Sequence, residues 1–301
     1  MININELKEL LAVPSVTGTE GLLVDYLVAL LTKKGVAVDV DAMGNIMVTK
    51  GTCTPSEYYP CLVAHTDTVH SIDGAIEIRE VMRENYMGER KLALTGFKPG
   101  TDEPRGCGGD DKSGVYICLN IMDQLDSVKV FFPVMEETGC HGSQAAPAEW
   151  FNDVGYFIQF DSPHGNTMSK SLRGTNIYQE DGEFYRLISE QLEYITPKRH
   201  PYTDVATLGT RFDVECLNLP AGYYKYHRPD EYVVVEDVIN GIVLGLELID
   251  QIGNKRYEYK KHTSIPNFIA KKYKYMHDNK TDIDIHTKVK KCYSHDSGKL
   301  H

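Results

Sequence analysis

At 301 residues and 42% hydrophobic content, the chain can bury one large core or two modest ones. A formal net charge of -11 argues against a nucleic-acid-binding body, and no apolar run reaches transmembrane length. Seven scattered cysteines with no CxxC pair, and no basic-plus-apolar leader, predict reduced thiols in a cytoplasmic protein.

Residues 5–11 suit a short helix stopped by Pro14, and Leu22, Leu23, Tyr26, Leu27, Leu30 and Leu31 recur at the spacing of a second. Lys33, Lys34 and Gly35 end it with cations and a C-cap glycine. Residues 36–40 and 46–49 alternate as two strands around a Gly44-Asn45 turn. Residues 58–64 read as a buried strand that ends in His65-Thr66-Asp67, where His65 and Asp67 point the same way on an extended chain. Asp67 can then orient the His65 ring, by carboxylate or backbone, as a carboxylate often does for a metal-bound imidazole. Alone, this HxD is equally a structural histidine. Residues 76–97 predict a twisted hairpin and 98–105 a polar loop.

Gly106-Cys107-Gly108-Gly109-Asp110-Asp111-Lys112-Ser113-Gly114 follows, and then Val115, Leu119, Met122 and Leu125 at helical spacing. Asp111 or Ser113 is the expected N-cap. The glycines permit close approach to a ligand, but the phosphate-loop spacing GxxxxGK[ST] is absent. A β-branched and aromatic run then leads to Glu136-Glu137-Thr138-Gly139. Two carboxylates at a strand end are either a solvated loop or a metal site, one group working on a water and the other holding the ion. Another buried strand ends at Asp161, an amphipathic helix is expected over 183–195, and a further element starts near Asp204. His227 lies in a tyrosine-rich segment before a closing helix over 235–252. His65, Asp110, Glu137, Asp161 and His227 each fall at a strand end or helix start, where open α/β sheets place their sites. Two imidazoles and three carboxylates suit zinc, manganese or cobalt, and two ions sharing one Asp would each keep an open position.

Over roughly residues 5–252 the chain resembles the co-catalytic zinc exopeptidases, the clan of peptidase T, glutamate carboxypeptidase and bacterial aminopeptidases. Ala64-His65-Thr66-Asp67 is similar to the clan's HxD, residues 109–114 to GADDKAG, Glu136-Glu137-Thr138-Gly139 to EExG, and residues 222–231 to its terminal histidine motif. The resemblance implies a three-layer α/β sandwich with a mixed, largely parallel central sheet and helices on both faces. It implies two divalent ions, zinc first, with manganese or cobalt as alternatives. His65 and Asp161 would bind one, Glu137 and His227 the other, and Asp110 both, followed by a cis peptide to Asp111. The catalytic pair would be Glu136, the general base toward a water bridging the ions, and Asp67, which orients His65.

The interval between Asp161 and His227 is too short for the lid domain of peptidase-T-like relatives, which puts carboxylate capture and dimerisation in doubt. His164, Arg173, Arg211 and Tyr223 are candidate substrate contacts. The expected activity is an aminopeptidase acting on short peptides, with an N-acyl amino acid deacylase or carboxypeptidase, or an inactive binding protein, as alternatives. The partners would be a peptide or acyl-amino-acid substrate, neither nucleic acid nor membrane, and, as an option, a second copy of the chain. The catalytic domain is expected over 1–254 and a basic extension over 255–301. The extension carries His262, His277, His286, Cys292, His295 and His301, whose spacing matches no standard zinc module.

Overall fold

The computed structural model describes residues 3–70, 74–172, 175–199 and 203–259. Two helices open the chain. In α1 (Ile4–Ala12), Leu7, Leu10 and Leu11 fall on the buried face. In α2 (Gly21–Lys34), Leu23, Leu27 and Leu31 line up at every fourth residue. β1 (Ala37–Val40) and β2 (Ile46–Lys50) form an antiparallel pair, and β3 (Tyr59–Val63) is buried along its whole length. The hairpin of β4 (Glu77–Glu84) and β5 (Arg90–Phe97) precedes α3 (Gly109–Gln124) and β6 (Val128–Phe132). A short helix α4 (His141–Ala145) and a 3-10 turn (Ala148–Phe151) lead from the Glu136-Glu137 segment to the next strand. Then come β7 (Val154–Ser162), β8 (Thr167–Leu172), β9 (Thr175–Asn176), α5 (Glu183–Ile188), β10 (Thr196–Arg199), α6 (Asp204–Phe212), β11 (Cys216–Pro220), β12 (Tyr223–Tyr224), β13 (Tyr232–Val234) and α7 (Val235–Ile252).

The main sheet runs β1-β2-β6-β3-β7-β11-β8-β10, with β9 paired to β8. Its centre, β6-β3-β7-β11, is parallel, while β2 is antiparallel to both of its neighbours, β1 and β6, and β8 meets β11 antiparallel. This is the mixed, largely parallel sheet expected. Every residue of β3, β6, β7 and β11 is buried. Successive side chains of a strand face opposite sides, so both faces of the sheet are covered. α3 packs on β7, β3 and β6 and on α7, and α6 also packs on β7. From β3 the chain moves to β6 on one side and returns to β7 on the other. The carboxyl end of β3 is therefore a switch point, where such sheets open a crevice. A second, antiparallel sheet, β12-β13-β5-β4, carries the segment with His227.

Three expectations need correction. The helix expected over 183–195 is α5 alone, Glu183–Ile188, followed by turns in which Leu192 bonds Ile188 but Ile195 bonds Leu192. Its N-cap, Gly182, offers no side-chain acceptor, and a helix this short has little propensity of its own, so packing of Ile188 and Leu192 sets the path. The body also runs past residue 254. Arg256 donates to the carbonyls of Val154 and Phe212, Tyr257 is buried, and Val214 bridges Glu258. Finally, of the two expected caps of α3 only Asp111 serves, its carboxylate accepting the Gly114 amide, while Ser113 lies past it and donates to the Gly109 carbonyl. The described residues between Asp161 and His227 add strands and helices to the main sheet and belong to the same compact unit as the rest. The tail histidines, Cys292 and Arg173 lie outside the described residues. Among the described residues no helix is long and apolar enough to cross a membrane, and six cysteines are free.

Candidate metal and catalytic centre

The sheet brings the five expected ligands together. His65 lies just past β3, Asp161 near the end of β7, Asp110 at the start of α3, Glu137 beyond β6, and His227 between β12 and β13. Asp110 divides its two oxygens. Oδ1 stands 3.2 Å from His65 Nε2, and Oδ2 stands 3.3 Å from His227 Nε2. Asp161 Oδ1 approaches His65 Nε2 at 3.5 Å, and Glu137 Oε1 approaches His227 Nε2 at 2.9 Å. Two donor triads result, His65-Asp110-Asp161 and Asp110-Glu137-His227, and within each the donor atoms lie within 4.8 Å of one another. The first triad is buried; His227 is the open member, with 42% of its side chain accessible.

The Asp110–Asp111 peptide is cis, as the resemblance implied. Both residues are non-helical, and the regular helix follows them. Asp111 Oδ1 accepts the Gly114 amide at 3.1 Å, which is a capping bond, and its Oδ2 accepts the His65 amide at 3.2 Å. Ser113 donates its hydroxyl back to the Gly109 carbonyl. Two of the preceding glycines are required by crowding. A Cβ on Gly109 would sit 2.5 Å from Val233 Cγ2, and one on Gly106 would meet the His70 ring at 2.5 Å. Non-glycine residues with left-handed backbone cluster here: Met135 and Cys140 flank the Glu136-Glu137 pair, and His227 is itself one. Such conformations concentrate where the surroundings over-determine a functional geometry.

Burial pushes the carboxyls of Glu136 and Glu137 upward and that of Asp161 to about 7. Burial acts on Asp110 too, but hydrogen bonds from His227 and His65 outweigh it and hold this carboxyl below the usual range. His227 is raised to about 10 by Asp110 and Glu137. Burial opposes the charge on His65, and the carboxylates of Asp110, Asp161 and Asp67 overcome it. The metal-free centre is thus a set of acids and imidazoles that share protons, and a divalent cation would replace those protons.

Asp67 does more than orient an imidazole. His65 Nδ1 meets the Asp67 carbonyl at 3.0 Å and the carboxylate at 3.3 Å. The same carboxylate accepts the amides of Glu136 (2.8 Å) and Glu137 (3.1 Å) and the Thr17 hydroxyl (2.9 Å). It therefore fixes base and ligand together. Around Asp161, Asn218 accepts its amide at 2.9 Å, while Gln159 donates to its carboxylate at 3.2 Å and to Asp204 at 3.3 Å. Asp204 is fully buried, accepts from Ser143, and is pushed by burial to about 6. Cys140 points its thiol at Glu136, 3.6 Å away. Lys112 is fully buried, donates to the carbonyls of Leu11 and Val13, and is lowered by burial to about 8.

The four substrate-contact candidates fare differently. Tyr223 is buried and donates to the Asp161 carbonyl (3.1 Å) and carboxylate (3.3 Å), which makes it a brace for that ligand. Arg211 is spent on the carbonyls of Ser143 and Ala146. His164 has its ring 5.0 Å from that of Tyr224. Gln159 and Asn218 are each a polar residue inside an apolar strand run, which is the sequence signal for a buried polar partner.

No family model and no curated protein matches the sequence. Solved structures do. Aminopeptidase PepT from Bacillus cereus superposes with a TM-score of 0.66 at 14% identity, over 83% of this chain and 97% of that one. The chain has the fold of this aminopeptidase. A tripeptidase from Staphylococcus aureus shares this fold at TM-score 0.61 and 16% identity, over 84% and 99% of the two chains. An aminopeptidase from the archaeon Desulfurococcus kamchatkensis shares it at 0.58 and 17%, over 83% and 95%.

Proposed function

We propose that the protein is a metal-dependent exopeptidase, an aminopeptidase that hydrolyses short peptides. The observation that carries this reading is the division of Asp110 between His65 and His227, with Glu136 buried beside them. The donor set fits two divalent ions. It is two imidazoles and three carboxylates, arranged as two triads that share one residue. In this reading His65, Asp110 and Asp161 hold one ion, and Asp110, Glu137 and His227 the other. Bound there, the ions supply Lewis acidity and make a water acidic enough to attack a carbonyl. Glu136 accepts the proton of that water and returns it to the leaving amine. Its amide is tied to Asp67, which fixes the backbone from which this carboxylate extends. Glu137 leaves the same clamp toward His227, so base and ligand diverge from one fixed dipeptide.

The acidic character of the centre favours a substrate ammonium over a substrate carboxylate. The nearby cations Lys112 and Arg211 are engaged with backbone carbonyls, which supports an aminopeptidase over a deacylase or carboxypeptidase. The free cysteines accord with a cytoplasmic setting. The test strips the protein with a chelator and titrates Zn2+, Mn2+ and Co2+ back by calorimetry. The metal-loaded protein is then assayed on free and N-acetylated di- and tripeptides. Two ions per chain and cleavage restricted to free amino termini are expected. Preference for the acetylated series would transfer the assignment to a deacylase, and full loading without hydrolysis would favour a binding protein.

A further inference from the structure

The glycine-rich run before Asp110 has the character of an anion-binding loop, and the anion it holds is the protein's own Glu231. Glu231 Oε2 accepts the amides of Gly108 (2.7 Å) and Cys107 (3.0 Å), and Oε1 accepts the amide of Asp110 (3.1 Å). His70 Nε2 lies 3.0 Å from Oε2. Successive backbone amides around one carboxylate form the kind of nest that elsewhere receives phosphate. The carboxylate is fully buried, and among the described residues its ion-pair partner is His70. Removing a carboxylate from water is costly, and a bonded cradle of this kind is what offsets it. An apolar residue in its place would leave the amides of Cys107, Gly108 and Asp110 without this acceptor, so the charge has a use beyond packing.

That use follows from what the two sides of the cradle carry. The loop that donates the amides ends in Asp110. The segment that supplies Glu231 begins at His227. Gly106 N donates to the Pro229 carbonyl at 2.6 Å, and Thr95 anchors the Glu231 carbonyl at 2.6 Å from β5, so the two segments are tied along their length. We propose that Glu231 is a positioning residue that sets the spacing of Asp110 and His227, and with it the affinity of the ion position those two share with Glu137. The proposal rests on the two-ion reading above. His70, wedged against Gly106, completes the tie from the far side.

A neutral amide cannot serve both faces of this cradle. In Glu231→Gln the NH2 group must face either the Asp110 amide or the donors of Cys107, Gly108 and His70, and donor then meets donor. The experiment titrates Co2+ into metal-free wild type, Glu231→Gln and His70→Ala, following visible absorption to resolve two binding steps, and melts the metal-free proteins in parallel. Wild type should take two ions. Glu231→Gln should bind the second about 10–100-fold more weakly, the loss typical of a partner one bond removed from a ligand, with the first step much less affected. His70→Ala should shift the same step in the same direction by less, and it decides the matter if Glu231→Gln fails to fold. A role in fold stability alone would lower the melting temperature and leave both steps at wild-type affinity, and that result overturns the proposal. A wild type that takes up fewer than two ions overturns the two-ion reading, and this proposal with it.

Discussion

Glu136 is held by its backbone, while its carboxylate is left for chemistry. The Asp67 oxygen takes the amide, and the only hydrogen-bond donor described at the side chain is the Cys140 thiol at 3.6 Å. Glu136→Gln should therefore fold normally and load metal as wild type does, since neither its clamp nor the two donor triads are altered. Its kcat should fall by about 10²–10⁴-fold, the usual worth of a positioned proton acceptor. Steady-state kinetics on a free tripeptide, with metal content measured on the same sample, checks both halves. Asp67 is of another kind, because it acts through Glu136, Glu137 and His65 and touches no reacting atom.

At the scale of elements, the close approach of α3 to β7 holds Asp110 next to Asp161, and it depends on one small residue. A Cβ on Gly114 would come 2.0 Å from the Phe160 carbonyl and 2.3 Å from Asp111 Oδ1, so backbone would have to move. Gly114→Ala should destabilise the protein by about 1–3 kcal/mol or more, as overpacking does. Gly21→Ala, at the open start of α2 with nothing within 4 Å, should be neutral or stabilising by about 0.4–1 kcal/mol. Urea melts of the two variants make the comparison, and equal effects would refute the argument. The elements themselves were largely legible. Leucine spacing gave α1 and α2, and largely apolar runs gave β3, β6 and β7, because burial on both faces leaves little room for polar residues, Lys129 and Gln159 being among the exceptions. Of the five candidate ligands, His65, Asp110 and Asp161 fall at the end or start of an element, whereas Glu137 and His227 lie in connections and stood out by the motifs of the resemblance. Local pattern could not reveal that Tyr223 braces Asp161, that Asp67 clamps the Glu136-Glu137 amides, or that Glu231 fills the glycine loop. Those bonds join segments that only the folded topology brings together.

For the whole molecule, acid groups away from the centre make stability depend on pH. Burial raises Glu215 from 4.5 to about 7 and Asp237 to about 6. A carboxyl raised in the folded state keeps its proton where the unfolded chain has lost it. Its contribution to stability is present at low pH and drains away as pH climbs from the unfolded chain's value through the folded value. The metal-free protein should lose stability between about pH 4.5 and 7 on this account. Glu215→Gln keeps an acceptor for the Gln179 amide and removes the titration, so its stability relative to wild type should increase across that window. Denaturant melts at pH 5 and pH 8 measure the difference, and a gap that does not widen with pH would exclude Glu215 as the source. The placement of His227 has a consequence in time as well. A ribosome that has delivered every residue through β11 has released four of the five candidate ligands and the base, but neither His227 nor Glu231. Until that stretch emerges, the growing chain carries the His65-Asp110-Asp161 triad complete but no partner for Glu137, so only the ion position shared with His227 waits for it.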